Sequence, residues 1–222
     1  MKVEMFEIGL IGTNCYLVWD EESREAMIFD PDEPGGEVVK KRLTDEGLRL
    51  KYVALTHWHE DHIGGVPGLL AEFPGAALVI GEGDAAYVSN TEVNDSEGLF
   101  GRRTMLEPGV LVREGDKLTL GALEFRVIET PGHTAGGVSY YVNQFDGELT
   151  GKGQEFSGTV FSGDTLFRQS IGRTDFRGGD LETLDSSIRE KLYTLPGDTL
   201  VLPGHMGATT IGNEREYNPF VR

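Results

Sequence analysis

Cysteine is almost absent from this sequence: Cys15 stands alone among 222 residues, so no internal disulfide can form. The chain must hold itself together by burial, and a domain of this length buries enough apolar surface to do so. A lone thiol also fits a reducing, cytoplasmic compartment. Basic charge is scarce too. Lys and Arg number 20 against 37 Asp and Glu, a formal charge of −17. Nucleic-acid binders neutralise phosphates with a basic face, so no nucleic-acid partner is expected. The acidity reads instead as a solvated surface that aids solubility. Long apolar runs are also missing. No stretch nears the ~20 residues that span a bilayer, and MKVEMFEIGLIGTN has no basic segment leading into an apolar core. Neither a membrane partner nor a secretory signal is expected.

Short apolar runs are plentiful. Those at 3–8, 15–19, 26–30, 52–56, 77–80, 123–130, 137–142, 159–163 and 199–204 are bounded by Gly, Asp, Asn or charged residues and read as strands. Helical periods fall at 35–46, with Val38, Val39 and Leu43 on one face, and at 63–73 and 181–195. Residues 143–158, polar and Gly-rich between two strand runs, read as an enlarged hairpin loop. No Pro/Gly/Ser linker interrupts the chain, so residues 1–222 are expected to form a single domain.

The sharpest feature is THWHEDH at 56–62, which follows the strand run YVAL and so lies on a loop at a strand's C-terminal end. His57, His59, Asp61 and His62 place four potential ligands within six residues. Neutral imidazole and carboxylate suit zinc and other borderline divalent metals. His133 in TPGHT, Asp164 in SGDT and His205 in PGHM repeat the context, each just past a strand run and beside a glycine. All five histidines of the chain fall in such positions, which scattered structural histidines would not do. Taken singly, Asp61 and Asp164 could each be helix N-caps.

THWHEDH followed in order by PGHT, SGDT and PGHM resembles the metallo-β-lactamase superfamily over essentially the whole chain. The resemblance implies a four-layer αβ/βα sandwich, an α/β fold with metals at one edge of two sheets. It implies that His57, His59 and His133 hold a first metal, that Asp61, His62 and His205 hold a second, and that Asp164 bridges them. SGDTLFRQSIGRTDFRGGD at 162–180 and PGHMGATTIGNEREYNPF at 203–220 are similar to short glyoxalase II-like proteins. Full-length glyoxalase II carries a C-terminal helical extension, and a Tyr after its last His, that contact glutathione; GHMGATT has no such Tyr. Arg173 matches a basic residue near the thiol carrier's carboxylate. Persulfide dioxygenase also resembles the chain around GRTDF. That resemblance implies one iron on His57, His133 and Asp164, although its last motif usually has Ala where this chain has Gly204. Zinc β-lactamases that place Cys at position 164 fit less well.

The expected function is hydrolysis of a small-molecule thioester, possessing two divalent ions, zinc first and iron or manganese as alternatives. An iron sulfur dioxygenase is the other enzyme class, and a non-catalytic metal-binding or redox scaffold the third. A metal lowers the pKa of bound water to near ~7 and so supplies the nucleophile that bare water is not. Asp61 would orient its proton, Asp164 would fix the metal spacing, and Arg173 would hold a substrate carboxylate, with an ordinary surface arginine the competing reading. Asp30 reads equally as a support for the metal loop or as a turn former. Cys15 reads as a buried core thiol, Trp58 and Glu60 as outward-facing, and Phe167 and Phe176 as core residues before pocket walls.

Overall fold

The computed structural model describes residues 1–33, 36–90, 92–94, 101, 103–146 and 155–221. Two six-stranded sheets dominate it. The first has the order β1-β2-β3-β4-β5-β6: Lys2–Ile8, Thr13–Trp19, Glu25–Phe29, Arg49–Ala54, Ala77–Gly81 and Val110–Val112. Its first three strands are antiparallel and the rest join in parallel. The second has the order β14-β13-β10-β9-β8-β7. In chain order its strands are β7 Lys117–Leu120, β8 Leu123–Glu129, β9 Val138–Val142, β10 Thr159–Gly163, β13 Leu200–Pro203 and β14 Thr209–Thr210. A small hairpin, β11 Leu166–Phe167 with β12 Ser170–Ile171, stands apart.

Strand sequences explain the layering. In β2 every residue is buried, because alternate side chains enter two different cores. Tyr16 and Val18 point between the sheets, while Cys15, Leu17 and Trp19 point to the helices outside the first sheet. Those helices are α1 (Gly36–Asp45), α2 (Glu60–Ile63), α3 (Val66–Glu72) and α4 (Ala85–Ser89). Outside the second sheet lie α5 (Leu181–Glu190) and α6 (Ile211–Tyr217), which contribute Leu184, Ile188 and Ile211 to a third core. The result is the expected four-layer αβ/βα sandwich. Asp180 caps α5 by accepting from Thr183 N at 2.8 Å, and Thr210 caps α6 through Asn213 N.

All nine strand runs are strands, and Cys15 is fully buried as expected. The run at 63–73 differs: it splits into α2 and α3, and α2 begins early enough to take Asp61 and His62 into its first turns. Val38 also departs, being 54% exposed while Val39 and Leu43 are 0% exposed. Positions 39 and 43 share a face four residues apart, and 38 lies a third of a turn away. β9 and β10 pair as an antiparallel hairpin around the 143–158 loop, of which 147–154 lie outside the described residues.

Phe29 ties the two sheets together. Its ring stacks on Phe161 at 4.2 Å and sits 5.1 Å from Tyr140, both on the opposite sheet. Phe29→Ala should therefore cost about 3–5 kcal/mol, read as a lower urea midpoint. Val38→Ala, on the solvent face, should shift stability by no more than ~0.5 kcal/mol.

Candidate metal centre

The site forms where strand ends meet. β3 ends at Asp30, β4 at the THWHEDH loop, β8 at Pro131–Thr134, β10 at Asp164 and β13 at His205. β3 and β4 run parallel, as do β10 and β13, so these ends open on one edge of the sandwich. All seven predicted ligands come together there. Ligand atoms of His57, His59 and His133 lie within 4.8 Å of one another, as do those of Asp61, His62 and His205, and of His57, His62 and Asp164. Asp164 sits between the first two groups, with Oδ1 3.4 Å from His62 Nε2, and Oδ2 3.6 Å from His133 Nε2 and 3.5 Å from His205 Nε2. Neither Asp61 nor Asp164 caps a helix: His59 occupies the cap position of α2, and Asp164 lies between two strands.

Supporting bonds select the imidazole tautomers. His133 Nδ1 lies 2.7 Å from the Arg173 carbonyl, which can only accept, so Nδ1 carries the proton and Nε2 keeps its lone pair. Thr56 Oγ1 donates to Asp30 Oδ2 at 2.7 Å and so accepts from His57 Nδ1 at 3.0 Å, again leaving Nε2 bare. Asp30 also accepts from Thr56 N at 2.8 Å and lies 3.1 Å from His62 Nδ1. It thus supports the metal loop, and its left-handed φ of 50° turns the chain out of β3 to do so.

Electrostatics fits cation ligation. Burial lowers the pKa of His57, His59 and His133, and neighbouring imidazoles lower those of His57 and His59 further, His59 to about 3, so the first group is neutral and ready to donate lone pairs. Burial also works against charge on His62 and His205, but there the carboxylates of Asp61 and Asp164 prevail and both pKa values rise. Among the described residues, buried His57 Nε2, His59 Nε2, His62 Nε2 and Asp164 Oδ1 have no hydrogen-bond partner. Unpaired buried polar atoms of this kind call for an explanation, and a divalent ion is one that imidazole and carboxylate both suit. Gly204 lets these side chains close in on the turn: a Cβ there would overlap Asp164 Oδ1 and lie 2.7 Å from His62 Cε1.

Above the ligands opens a cavity of about 530 Å³, walled by Ile11, Trp58, Phe167, Ile171, Phe176 and Met206. Arg173 and Arg177 also line it. Arg173 stacks its guanidinium 3.7 Å above the Phe176 ring and forms a fork with Asp175 at 2.7 Å and 2.7 Å. Phe167 is buried as well as wall-forming, whereas Phe176 is only half-buried and meets His59 edge-on at 5.7 Å, so it belongs to the pocket and not to the core.

Trp58 and Glu60 do not face outward. They are 2% and 0% exposed. Trp58 stacks on Tyr87 of α4 at 4.9 Å, and Glu60 accepts from Thr104 N at 2.9 Å and from the Thr104 hydroxyl. Both partners are remote in sequence, so strand-like alternation within the motif could not reveal them. Thr13, Asn14 and Asp84 also support the site without having stood out. Thr13 donates to Asp61 Oδ2 at 3.1 Å, and Asp84 accepts from Thr134 Oγ1 at 2.6 Å and Gly136 N at 2.7 Å, beside His133.

Comparison with known proteins agrees with this geometry. The metallo-beta-lactamase superfamily model matches residues 8–144 and 153–205. The chain belongs to the metallo-β-lactamase superfamily. Among its relatives, hydroxyacylglutathione hydrolase GloC of Haemophilus influenzae is 35% identical over 100% of this chain and 98% of its own. Human mitochondrial persulfide dioxygenase ETHE1 is 33% identical over 97% of this chain and 74% of its own. Two crystal structures are also similar. BLEG-1 B3 metallo-beta-lactamase has TM-score 0.85 and 37% identity, covering 99% of each chain. TTHA1623 in a di-iron-bound form has TM-score 0.79 and 32% identity, covering 99% of this chain and 100% of its own.

Asp30 holds Thr56, on which His57 rests, and faces His62, so Asp30→Ala should weaken metal binding about 10–100-fold. Competition against a chelator of known affinity measures this. Unchanged affinity would reduce Asp30 to a turn residue.

Proposed function

We propose that the protein is a dinuclear metal-dependent hydrolase of thioesters borne by a small thiol carrier, S-acylglutathione-type compounds among them, with residues 1–222 working as one domain. The doubled ligand set carries this reading: His57, His59 and His133 for one ion, Asp61, His62 and His205 for another, and Asp164 facing both. A single ion is satisfied by three or four such groups. Zinc suits these nitrogen and oxygen donors, with iron or manganese as alternatives. Bound ions would supply a nucleophilic oxygen at neutral pH and polarise the substrate carbonyl. The chain's own groups complete the chemistry. Asp61 accepts from the Thr13 hydroxyl and lines the cavity, so its carboxylate can hold the proton of the attacking oxygen. Apolar walls formed by Phe167, Ile171 and Phe176 keep bulk water from the thioester. Arg173, flat against Phe176, is positioned to exchange Asp175 for a substrate carboxylate.

Similarity to ETHE1 supports a second reading, a mononuclear iron persulfide dioxygenase on His57, His133 and Asp164. That reading leaves Asp61, His62 and His205 without an ion. The deciding experiment counts metals in protein purified without chelator and assays S-lactoylglutathione, glutathione persulfide and a β-lactam in parallel. Two ions per chain with thioester turnover are expected. A ceiling of one ion with oxygen uptake on persulfide would replace the hydrolase by the dioxygenase. Inertness of the loaded protein towards all three would leave a metal-binding scaffold.

Arg173→Ala should raise KM about ten-fold or more with kcat little changed, the signature of lost uniform binding. The effect should appear for a thioester bearing a free carboxylate and not for its amide. Equal kinetics on both would make Arg173 an ordinary surface arginine.

A further inference from the structure

The two ligand groups are held by different parts of the chain. His57 leans on Thr56 and His133 on the Arg173 carbonyl, so the first group takes its support from β4's end and from the 173 segment. The second group leans on the start of β2. Thr13 donates to Asp61 Oδ2 at 3.1 Å. Asn14 grips the turn that carries His205: its backbone N donates to Gly204 O at 2.7 Å, and its amide donates to Pro203 O at 3.0 Å and Met206 O at 2.8 Å. Three carbonyls flanking one histidine are thus fixed by one residue, 2% exposed. Met206 sits at a φ of 68°, a conformation that a non-glycine residue keeps only when its surroundings impose it.

We infer that Asn14, with Thr13 beside it, is a positioning residue for the second metal ion alone. This rests on the two-ion reading. The two amide hydrogens of Asn14 let it serve both carbonyls at once. Aspartate has the same size and no hydrogen to give, so it would set acceptor against acceptor. Without the clamp the 203–206 turn can relax out of its left-handed conformation and carry His205 away from Asp61, now 3.3 Å distant. The first group would keep every support it has.

Zinc(II) titrated by calorimetry into full-length, chelator-stripped protein reads this without any assay of activity. Wild type should show two binding events. Asn14→Ala and Asn14→Asp should keep the first affinity and lose ten-fold or more in the second. Thr13→Val should weaken the second in the same sense, and Thr13→Ser should restore it. Tyr16→Phe, which removes another donor to Pro203 O but leaves Met206 held, should change the second affinity less than Asn14→Ala does. Circular dichroism melts of the stripped proteins separate loss of fold from loss of an ion. Thr13→Val leaves the turn's own bonds intact and keeps the question answerable if the Asn14 variants do not fold. Two events of wild-type affinity in the variants, or equal weakening of both, would overturn the inference and leave the two-ion reading standing. A single event in wild type would sink both.

Discussion

Buried negative charge is the constraint on which the rest of this structure turns. Asp30, Asp61 and Asp164 lie around one imidazole, His62, which is wholly shielded from water. Carboxylates removed from water carry a penalty of several kcal/mol each unless paired and hydrogen-bonded. Each is answered differently. Asp30 takes two bonds from Thr56 and faces His62, so it is paired from within the chain. Asp61 has the Thr13 hydroxyl, His62 and His205. Asp164 faces the imidazoles of His62, His133 and His205, and its Oδ1 lacks a hydrogen-bond partner among the described residues. The carboxylate least satisfied by protein is the one between the two ligand groups, where a cation would relieve it most.

The sandwich exists at this edge to hold such a cluster still. Its inter-sheet core, stitched by Phe29, Phe125, Tyr140 and Phe161, fixes the strand ends relative to one another. Sharp exits then turn the chain from each strand into a ligand. Asp30, Gly132, Gly163 and Met206 all have positive φ, and each adjoins or belongs to a ligand-bearing loop. At Gly132 the need is absolute: φ is 127°, and any Cβ would collide with the backbone of Leu184 on α5. Strain of this kind gathers at functional sites because rigid surroundings can hold it there. The same helix that buries Leu184 and Ile188 therefore also sets where His133 can stand.

Much of this was legible in the residues themselves. Strands covered on both faces read as short apolar runs, and nine such runs account for nine of the twelve strands in the two sheets. The clustered site residues were legible because histidine is rare in this chain and every copy follows a strand run. What escaped was set by contacts distant in sequence. Trp58 and Glu60 are inside because Tyr87 and Thr104 cover them. β6 and β7, three and four residues long, carry too few apolar positions to stand out. The cap of α6 was present in TIGNE as Thr210 before Asn213, but its seven residues give too short a period to register. Asn14 is invisible to composition altogether, since its importance lies in carbonyls some 190 residues away, separated from it by 189 and 192 positions.

The two ligand groups also differ in what can replace a metal. His57, His59 and His133 are pushed below the ordinary histidine pKa by burial and, for His57 and His59, by one another, so protons compete poorly for them. His62 and His205 are pushed the other way once the carboxylates outweigh their burial. A proton on each of these two supplies the same two positive charges that one divalent ion would bring. Acid favours the protons, and alkali favours the ion because metal binding needs neutral imidazole. Under the two-ion reading, protons therefore oppose an ion more strongly at the second group than at the first. Thr13 and Asn14 then bear on the contest directly. An ion demands that Asp61 and His205 meet at fixed distance and angle, whereas two protonated imidazoles beside a carboxylate tolerate a looser turn.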